Sequence, residues 1–281
     1  MAVAADFEPG AILRDTAGEI RRVLGGDCGG LVVEQAVLGL FFTGVMLSNG
    51  RGGICATPIK SIPEAVCCPS SIQAMPMPGK LRGRPVAAFL DDLGPANSLR
   101  RALSIAVLSA LSATVMDGGG GVVETVRGVD GLDEARIAEG DNVVLVGALG
   151  PMIKTLKARG GPFRILEKDP ATLRPDEMPF YAPAENAPTE VPRADVLVTT
   201  GTTLINDTLE GLLELVRPGA EVVVVGPTAS LLPEAFFLRG VRVLGGVRVT
   251  DPKRLLHMLA EGGSGYHIFG RAAERVVMKS R

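Results

Sequence analysis

The stretch Gly140-Asp141-Asn142-Val143-Val144-Leu145-Val146-Gly147-Ala148-Leu149-Gly150-Pro151, continued by Met152 to Arg159 and then Gly160-Gly161-Pro162-Phe163-Arg164-Ile165-Leu166-Glu167, decides the fold of this chain. The unbroken apolar run Val143 to Val146, cut off by Gly147, reads as a strand buried on both faces, the mark of a parallel sheet covered by helices. A helix follows: Pro151 suits its first position, because a missing N–H costs nothing there, and Lys154, Lys157 and Arg159 place cations toward the C-terminal end of the dipole. Gly160-Gly161 stops it. Phe163 to Glu167 is a second strand ending in a carboxylate, so the unit is strand, glycine turn, helix, strand, with an acid twenty residues beyond the turn.

The glycines do not complete a dinucleotide fingerprint. From Gly147 the chain reads Gly-Ala-Leu-Gly-Pro-Met, where the fingerprint G-x-G-x-x-G needs a second glycine for backbone to approach a pyrophosphate. Tightly held NAD is therefore not expected. What remains is a backbone turn, Gly147, Ala148 and Gly150, at a helix N-terminus, able to receive a carboxylate, a phosphate or a polar ligand edge. The plain alternative is a tight structural turn of the kind that any Rossmann-like sheet contains.

With 281 residues, 46% of them hydrophobic, the chain has material for two ordinary cores. A net charge of −2, scattered basic residues and no Trp offer no platform for nucleic acid. The N-terminus lacks a basic region followed by an apolar core, and the apolar stretch Ala102 to Met116 is interrupted by Ser104, Ser109 and Ser112, which points to a buried helix rather than a membrane span. The cysteines Cys28, Cys55, Cys67 and Cys68 form no C-x-x-C pair, so a reducing cytoplasm is the expected location.

Ahead of the decisive stretch, Gly10 to Leu24 has helical spacing, and three short strands follow at Leu31–Val37, Phe41–Ser48 and Gly53–Thr57. Asn49-Gly50 between the last two marks a hairpin, so this sheet is antiparallel. Pro58 to Pro85, with six prolines, is a long connection holding Cys67-Cys68. Helices are expected at Pro85–Asp92 and Asn97–Val115, the second capped by Asn97 or Ser98. The predicted architecture is α/β: a smaller α+β domain over residues 1–116, a Rossmann-like, mostly parallel domain over 117–281, and a linker near 117–140.

Beyond Glu167, residues 168–193 carry six prolines and no clear helical pattern. Strands are expected at Asp195–Thr200, Ala220–Val225 and Val241–Leu244, with helices at Leu204–Val216, Pro233–Arg239 and Asp251–Glu261. The turns Thr200-Gly201-Thr202-Thr203, with Asn206, and Gly226-Pro227-Thr228 then join Gly147 along one rim, where a change of winding direction leaves a crevice for ligand. Backbone N–H groups and hydroxyls there call for an anionic or oxygen-rich ligand.

Taken as a set, Val146-Gly147-Ala148-Leu149-Gly150-Pro151, Thr199-Thr200-Gly201-Thr202-Thr203-Leu204-Ile205-Asn206 and Val225-Gly226-Pro227-Thr228, placed after an antiparallel meander, resemble the domain-of-unknown-function family labelled "putative heavy-metal chelation". That resemblance covers about residues 11 to 270. It implies an enolase N-terminal-like domain joined to a Rossmann-like domain, a site in the cleft between them and a role in binding heavy metal, and it supplies no established reaction.

The metal reading has its own candidates. Cys67 and Cys68 offer two soft sulfurs, with Cys28, Cys55, His257 or His267 to complete a set, although adjacent side chains tend to diverge and buried cysteines often pack as small hydrophobes. His257 sits between apolar helix positions, whereas His267 follows a Gly-Ser-Gly loop and is the better ligand of the two. The chain has no nucleophile elbow and no P-loop. Glu167, Asp207 and Asp251 near the rim could serve as acid, base or ligand, or as helix caps. Three functions therefore stay open: a protein handling a heavy-metal ion or metal chelate, an enzyme holding a nucleotide-like or S-adenosylmethionine-like cofactor with Glu167 on the ribose, and a non-catalytic scaffold. The expected partner is a small-molecule or metal ligand, with no nucleic acid and no membrane, and a homo-oligomer is compatible with the sequence.

Overall fold

The computed structural model describes residues 6–61, 77–94, 97–119 and 123–280. Helix α1 (Ala11–Leu24) leads into the three-stranded antiparallel sheet β1 (Val33–Leu38), β2 (Phe42–Leu47) and β3 (Gly52–Ala56), in that spatial order. The Asn49-Gly50 turn lies between β2 and β3, with Gly50 at φ 78°. Short α2 (Ala87–Leu90) and long α3 (Ser98–Asp117) complete this layer. Asn97 caps α3 through its Oδ1, which accepts the Leu99 and Arg100 N–H groups at 3.0 Å.

α3 is the spine of the molecule. By length and composition it is apolar enough to cross a membrane, yet 78% of its most apolar window is buried inside the protein. Two of its serines bind the neighbouring layers through their hydroxyls: Ser109 accepts the Ile54 N–H of β3, and Ser112 accepts the Leu232 N–H. Gly53 allows β3 to lie directly on the helix, because a Cβ there would fall 2.1 Å from the Ala106 carbonyl oxygen.

The second sheet has eight strands. In chain order its elements are β4 (Glu124–Arg127), β5 (Val143–Val146), α4 (Gly150–Arg159), β6 (Phe163–Glu167), β7 (Tyr181–Pro183), α5 (Ala187–Glu190), β8 (Val196–Thr200), α6 (Leu209–Glu214), β9 (Glu221–Val225), α7 (Glu234–Phe237), β10 (Val243–Val249), α8 (Pro252–Ala260), α9 (Gly265–Ile268) and β11 (Ala273–Lys279). The spatial order is β4-β11-β10-β9-β8-β5-β6-β7; all pairings from β10 to β7 are parallel, and β11 and β4 add an antiparallel edge. The fold is thus mixed α/β, with a mostly parallel large sheet and a small antiparallel one.

Three expectations differ from this arrangement. The stretch read as a linker contains β4, an exposed edge strand too short for its alternation to stand out, and β11 follows the last expected helix as an interior strand between β4 and β10. The helix expected from Leu204 to Val216 is split into a 3-10 turn, Gly201–Leu204, and α6, because Asp207 adopts a left-handed φ of 58° that no α-helix contains. The proline-rich stretch after β6 holds β7, added to the edge of the parallel sheet. One apolar cluster joins Ile12, Leu103 and Leu108 of the first layer to Leu204, Leu209 and Phe236 of the second.

Candidate functional site

β5 is flanked by β6 and β8. From β5 the chain winds outward through β6 and β7, then returns to the other side for β8, β9 and β10, so the carboxyl ends of β5 and β8 form the switch point of the sheet. Gly147, at the tip of β5, has φ 96°, and a Cβ built there would lie 3.0 Å from Thr200 Cγ2 at the tip of β8. Only glycine fits both demands.

Glu167 closes the neighbouring corner. Its Oε2 accepts the Ala148 N–H at 2.9 Å, and its Oε1 accepts those of Lys168 at 2.8 Å and Asp169 at 3.1 Å. The carboxylate expected to meet a ribose therefore fastens the Gly147–Ala148 turn to the end of β6. Next to it, Asp169 pairs with Lys60, which holds its carboxyl below the usual carboxylate range and ties the chain leaving β3 to this corner.

Most rim hydroxyls are likewise engaged within the protein. Thr203 Oγ1 donates to the Thr200 carbonyl at 2.7 Å, Thr200 Oγ1 accepts from the Thr202 N–H at 3.4 Å and lies 3.3 Å from Thr202 Oγ1, and Thr208 Oγ1 donates to Asn206 Oδ1 at 2.6 Å. Gly201 packs against the next turn, where a Cβ would sit 2.8 Å from Ala229 N. Gly226, at φ 111°, precedes the 3-10 turn Pro227–Ala229. Thr228 is buried, and its Oγ1 accepts the Ala56 N–H of β3 at 3.1 Å, linking the two sheets. A rim of open donors was expected; the fold spends most of them on its own turns.

A small cavity of about 180 Å³ lies over Leu149, Pro151, Gly226 and Pro227 at this rim, and two larger ones open beside it. One, of about 520 Å³, lies over Val146, Gly147, Leu166 and Glu167, between Ala184–Pro188 and Gly211 and Leu212 of α6 with the Leu215 that follows it. The other, of about 300 Å³, lies between Ala56, Thr57, Pro58 and Ser98 of the first layer and the Thr202–Asp207 turn. Thr202, Asn206 and Asp207 line both. The walls of the larger cavity are mainly apolar, with the carboxylates of Glu167 and Glu185 and the ammonium of Lys168 at its edge.

The shared turn is held from behind. Both oxygens of Asp207 meet the guanidinium of Arg101, a residue of α3 that is 1% exposed. Glu210, equally buried, accepts the Ile12 N–H at the start of α1 at 3.0 Å, where the helix dipole favours a negative charge. Two elements of the first layer thus fix the Asn206–Glu210 segment of the second.

The sequence-derived metal ligands do not meet at this rim. Cys67 and Cys68 lie outside the described residues. Cys55 is fully buried under Thr228, and burial pushes its thiol up to about 12; Cys28, in a buried turn, is also raised by burial. Both are protonated thiols, not ready ligands. His267 and His257 line a separate groove beyond α8. Among the described residues, no group of three or more His, Cys, Asp or Glu side chains could hold a metal ion. The described residues therefore do not fit a bare, protein-ligated ion.

Several lining residues had no sequence signal. Glu185, Ala187 and Pro188 fall in the proline-rich stretch, and Ala56–Pro58 and Ser98 reach the rim only through the packing of the first layer. Asp207 was visible as a carboxylate after Asn206, but its buried guanidinium partner was not.

With this geometry in place, the comparisons with known proteins fall into one pattern. A family profile described as "Putative heavy-metal chelation" (DUF364) matches residues 130–278, and a second with the same description (DUF4213) matches residues 21–112. The chain belongs to this family. An uncharacterized protein of Methanocaldococcus jannaschii is 32% identical over 89 residues, a match that spans 32% of this chain and 34% of that protein. The crystal structure of a DUF364-family protein of unknown function from Pyrococcus horikoshii superposes with a TM-score of 0.70 at 20% identity, covering 96% of this chain and 99% of that one. A second family member, from Desulfitobacterium hafniense DCB-2, gives a TM-score of 0.67 at 19% identity, covering 94% and 99%. At such identities the structures share the fold.

Proposed function

We propose that this member of the "Putative heavy-metal chelation" family binds a metal complexed by a small organic ligand, in the cleft between the three-stranded layer and the rim of the large sheet. The observation that carries the reading is the pair of cavities meeting at Thr202, Asn206 and Asp207 beside the switch point. Ligand sites of open parallel sheets lie at such points. The family name supplies the metal, and the absence of a ligand cluster among the described residues favours a chelate over a bare ion. Cys67 and Cys68 are the proposed sulfur donors of this chain; His267, expected from the sequence as a nitrogen donor, lines the groove beyond α8 and is left out of this site. Residues 1–116 and 117–281 are proposed as the two units whose junction forms the cleft.

The organic part would lie on Val146, Leu166, Leu212 and Leu215, with the Asn206 amide NH2 and the Ser98 hydroxyl, neither of which has a partner among the described residues, as donors to its polar edge. The reading places the protein in the cytoplasm, with a small ligand as its partner.

One observation favours the second reading, an enzyme with an S-adenosylmethionine-like cofactor: the larger cavity runs from the end of β5 over the end of β6 to Ala184–Pro188. Against it, Glu167 already accepts three backbone N–H groups. Calorimetric titration decides between them, using a free heavy-metal ion, an anionic metal chelate and S-adenosylmethionine against wild type and the Thr202→Val and Asn206→Ala variants. The chelate should bind wild type and weaken in both variants. Equal heats for wild type and variants with every ligand would remove the cleft proposal.

A further inference from the structure

Both histidines of this chain line one groove of about 370 Å³, outside the cleft, together with Arg254, Met258, Glu261 and Arg271. His267 is held in a defined state there: its Nδ1 accepts the Ser264 N–H at 3.0 Å, completing a capping box at the start of α9. A ring nitrogen that accepts a backbone N–H carries no proton, so in the neutral ring the proton is on Nε2, the nitrogen turned away from the cap. Arg254 and Arg271 have no acidic partner at ion-pair distance among the described residues, whereas His257 Nε2 stands 3.4 Å from Glu261.

We propose that this groove is a binding site for a phosphate monoester, held by the guanidinium groups of Arg254 and Arg271 and by the Nε2–H of His267. Two forked guanidinium groups and a fixed imidazole donor supply more hydrogen-bond donors than a carboxylate has oxygens to use, and they match the three terminal oxygens of a monoester. The carbonyl end of α8 would oppose an anion, but here its carbonyls are already engaged: Gly262 N–H donates to the Leu259 carbonyl and Gly263 N–H to that of Met258. Glu261 Oε1 lies 3.4 Å from His257 Nε2 across one turn of the same helix. Two guanidinium groups, Arg254 and Arg271, stand against one carboxylate, Glu261, so the groove keeps an excess of positive charge.

The same donors could meet a soluble monoester or a lipid phosphate, and the test separates them. Phenyl phosphate and vesicles containing phosphatidic acid are each titrated into the full chain at fixed ionic strength, following the imidazole nitrogen resonances of His257 and His267. Phenyl phosphate should shift the His267 Nε2 resonance saturably, and Arg254→Gln and Arg271→Gln should each weaken it about tenfold, the loss of one charge-assisted contact. Both variants alter exposed side chains, and unchanged spectra elsewhere verify their fold. The site is overturned if phenyl phosphate leaves His267 unmoved, if the double variant binds as wild type does, or if only the vesicles engage the groove.

Discussion

Arg101 of α3 grips both carboxylate oxygens of Asp207, 106 residues further along the chain, and in doing so holds a non-glycine residue at φ 58° where the two cavities meet. The pair is almost out of water on the arginine side, where the exposure is 1%. Breaking one half of such a pair leaves an uncompensated buried charge. Asp207→Asn, which leaves the buried guanidinium of Arg101 as that charge, should therefore cost about 3–5 kcal/mol in denaturant unfolding. A loss below about 1 kcal/mol would show that the turn holds itself, as exposed ion pairs contribute no more than that.

Thr228 makes the corresponding bond at the other end of the rim, from its hydroxyl to the Ala56 N–H. Thr228→Val keeps the shape and takes from the half-buried Ala56 N–H its side-chain partner, at a cost of about 1 kcal/mol. Thr228→Ser should cost less, because it keeps the acceptor. Equal losses for the two variants in thermal or denaturant unfolding would show that the bond to Ala56 contributes no more than the packing of the methyl group.

Gly147 allows the ends of β5 and β8 to abut. Gly147→Ala should destabilise by about 1–2 kcal/mol from its backbone angle alone, and the contact with Thr200 adds to that. Gly147→Ala in a Thr200→Ser background, which removes the contacting methyl group, should recover part of the loss. No recovery would assign the whole cost to the backbone angle.

Cys55 reports on burial through its acidity. Its thiol is raised to about 12 by burial, with the Thr228 hydroxyl acting in the opposite direction. A thiol harder to ionise when folded stabilises the fold fully below the thiol's unfolded pKa, and this contribution is lost as pH rises through about 12. At pH 8 the thiolate fraction should be on the order of a thousandfold below that of an ordinary cysteine. Mass spectrometry after brief iodoacetamide treatment should find Cys55 unmodified in the folded chain and modified in denaturant; rapid labelling of the folded chain would contradict the burial.

How much of this was legible beforehand follows from what each feature depends on. β5, β6, β8 and β9 are continuous Val- and Leu-rich runs ended by glycine or by Glu167, so the winding of the parallel sheet could be read directly. β4 and β11 could not, since β4 is a short edge strand that exists only by pairing with β11, and β11 opens with the charged Glu274 and Arg275 before its apolar run. At the site, the glycine turns were readable and the state of their donors was not. That Glu167 would serve Ala148, and Thr228 serve Ala56, depends on contacts across 19 and 172 residues of chain. The break at Asp207 was hidden for the same reason, its stabilising partner being on another helix.

Gly211 offers the most direct test of the cleft. It lines the larger cavity, and a Cβ built there has no heavy atom within 4 Å, so Gly211→Phe adds bulk to the cavity while improving the helix propensity of α6. Native mass spectrometry with elemental analysis, on wild type and Gly211→Phe purified without chelator, should find a metal-containing small-molecule adduct on wild type and a bare chain for the variant, both unfolding at similar denaturant concentration. The same adduct on both proteins would contradict ligand binding in the cleft.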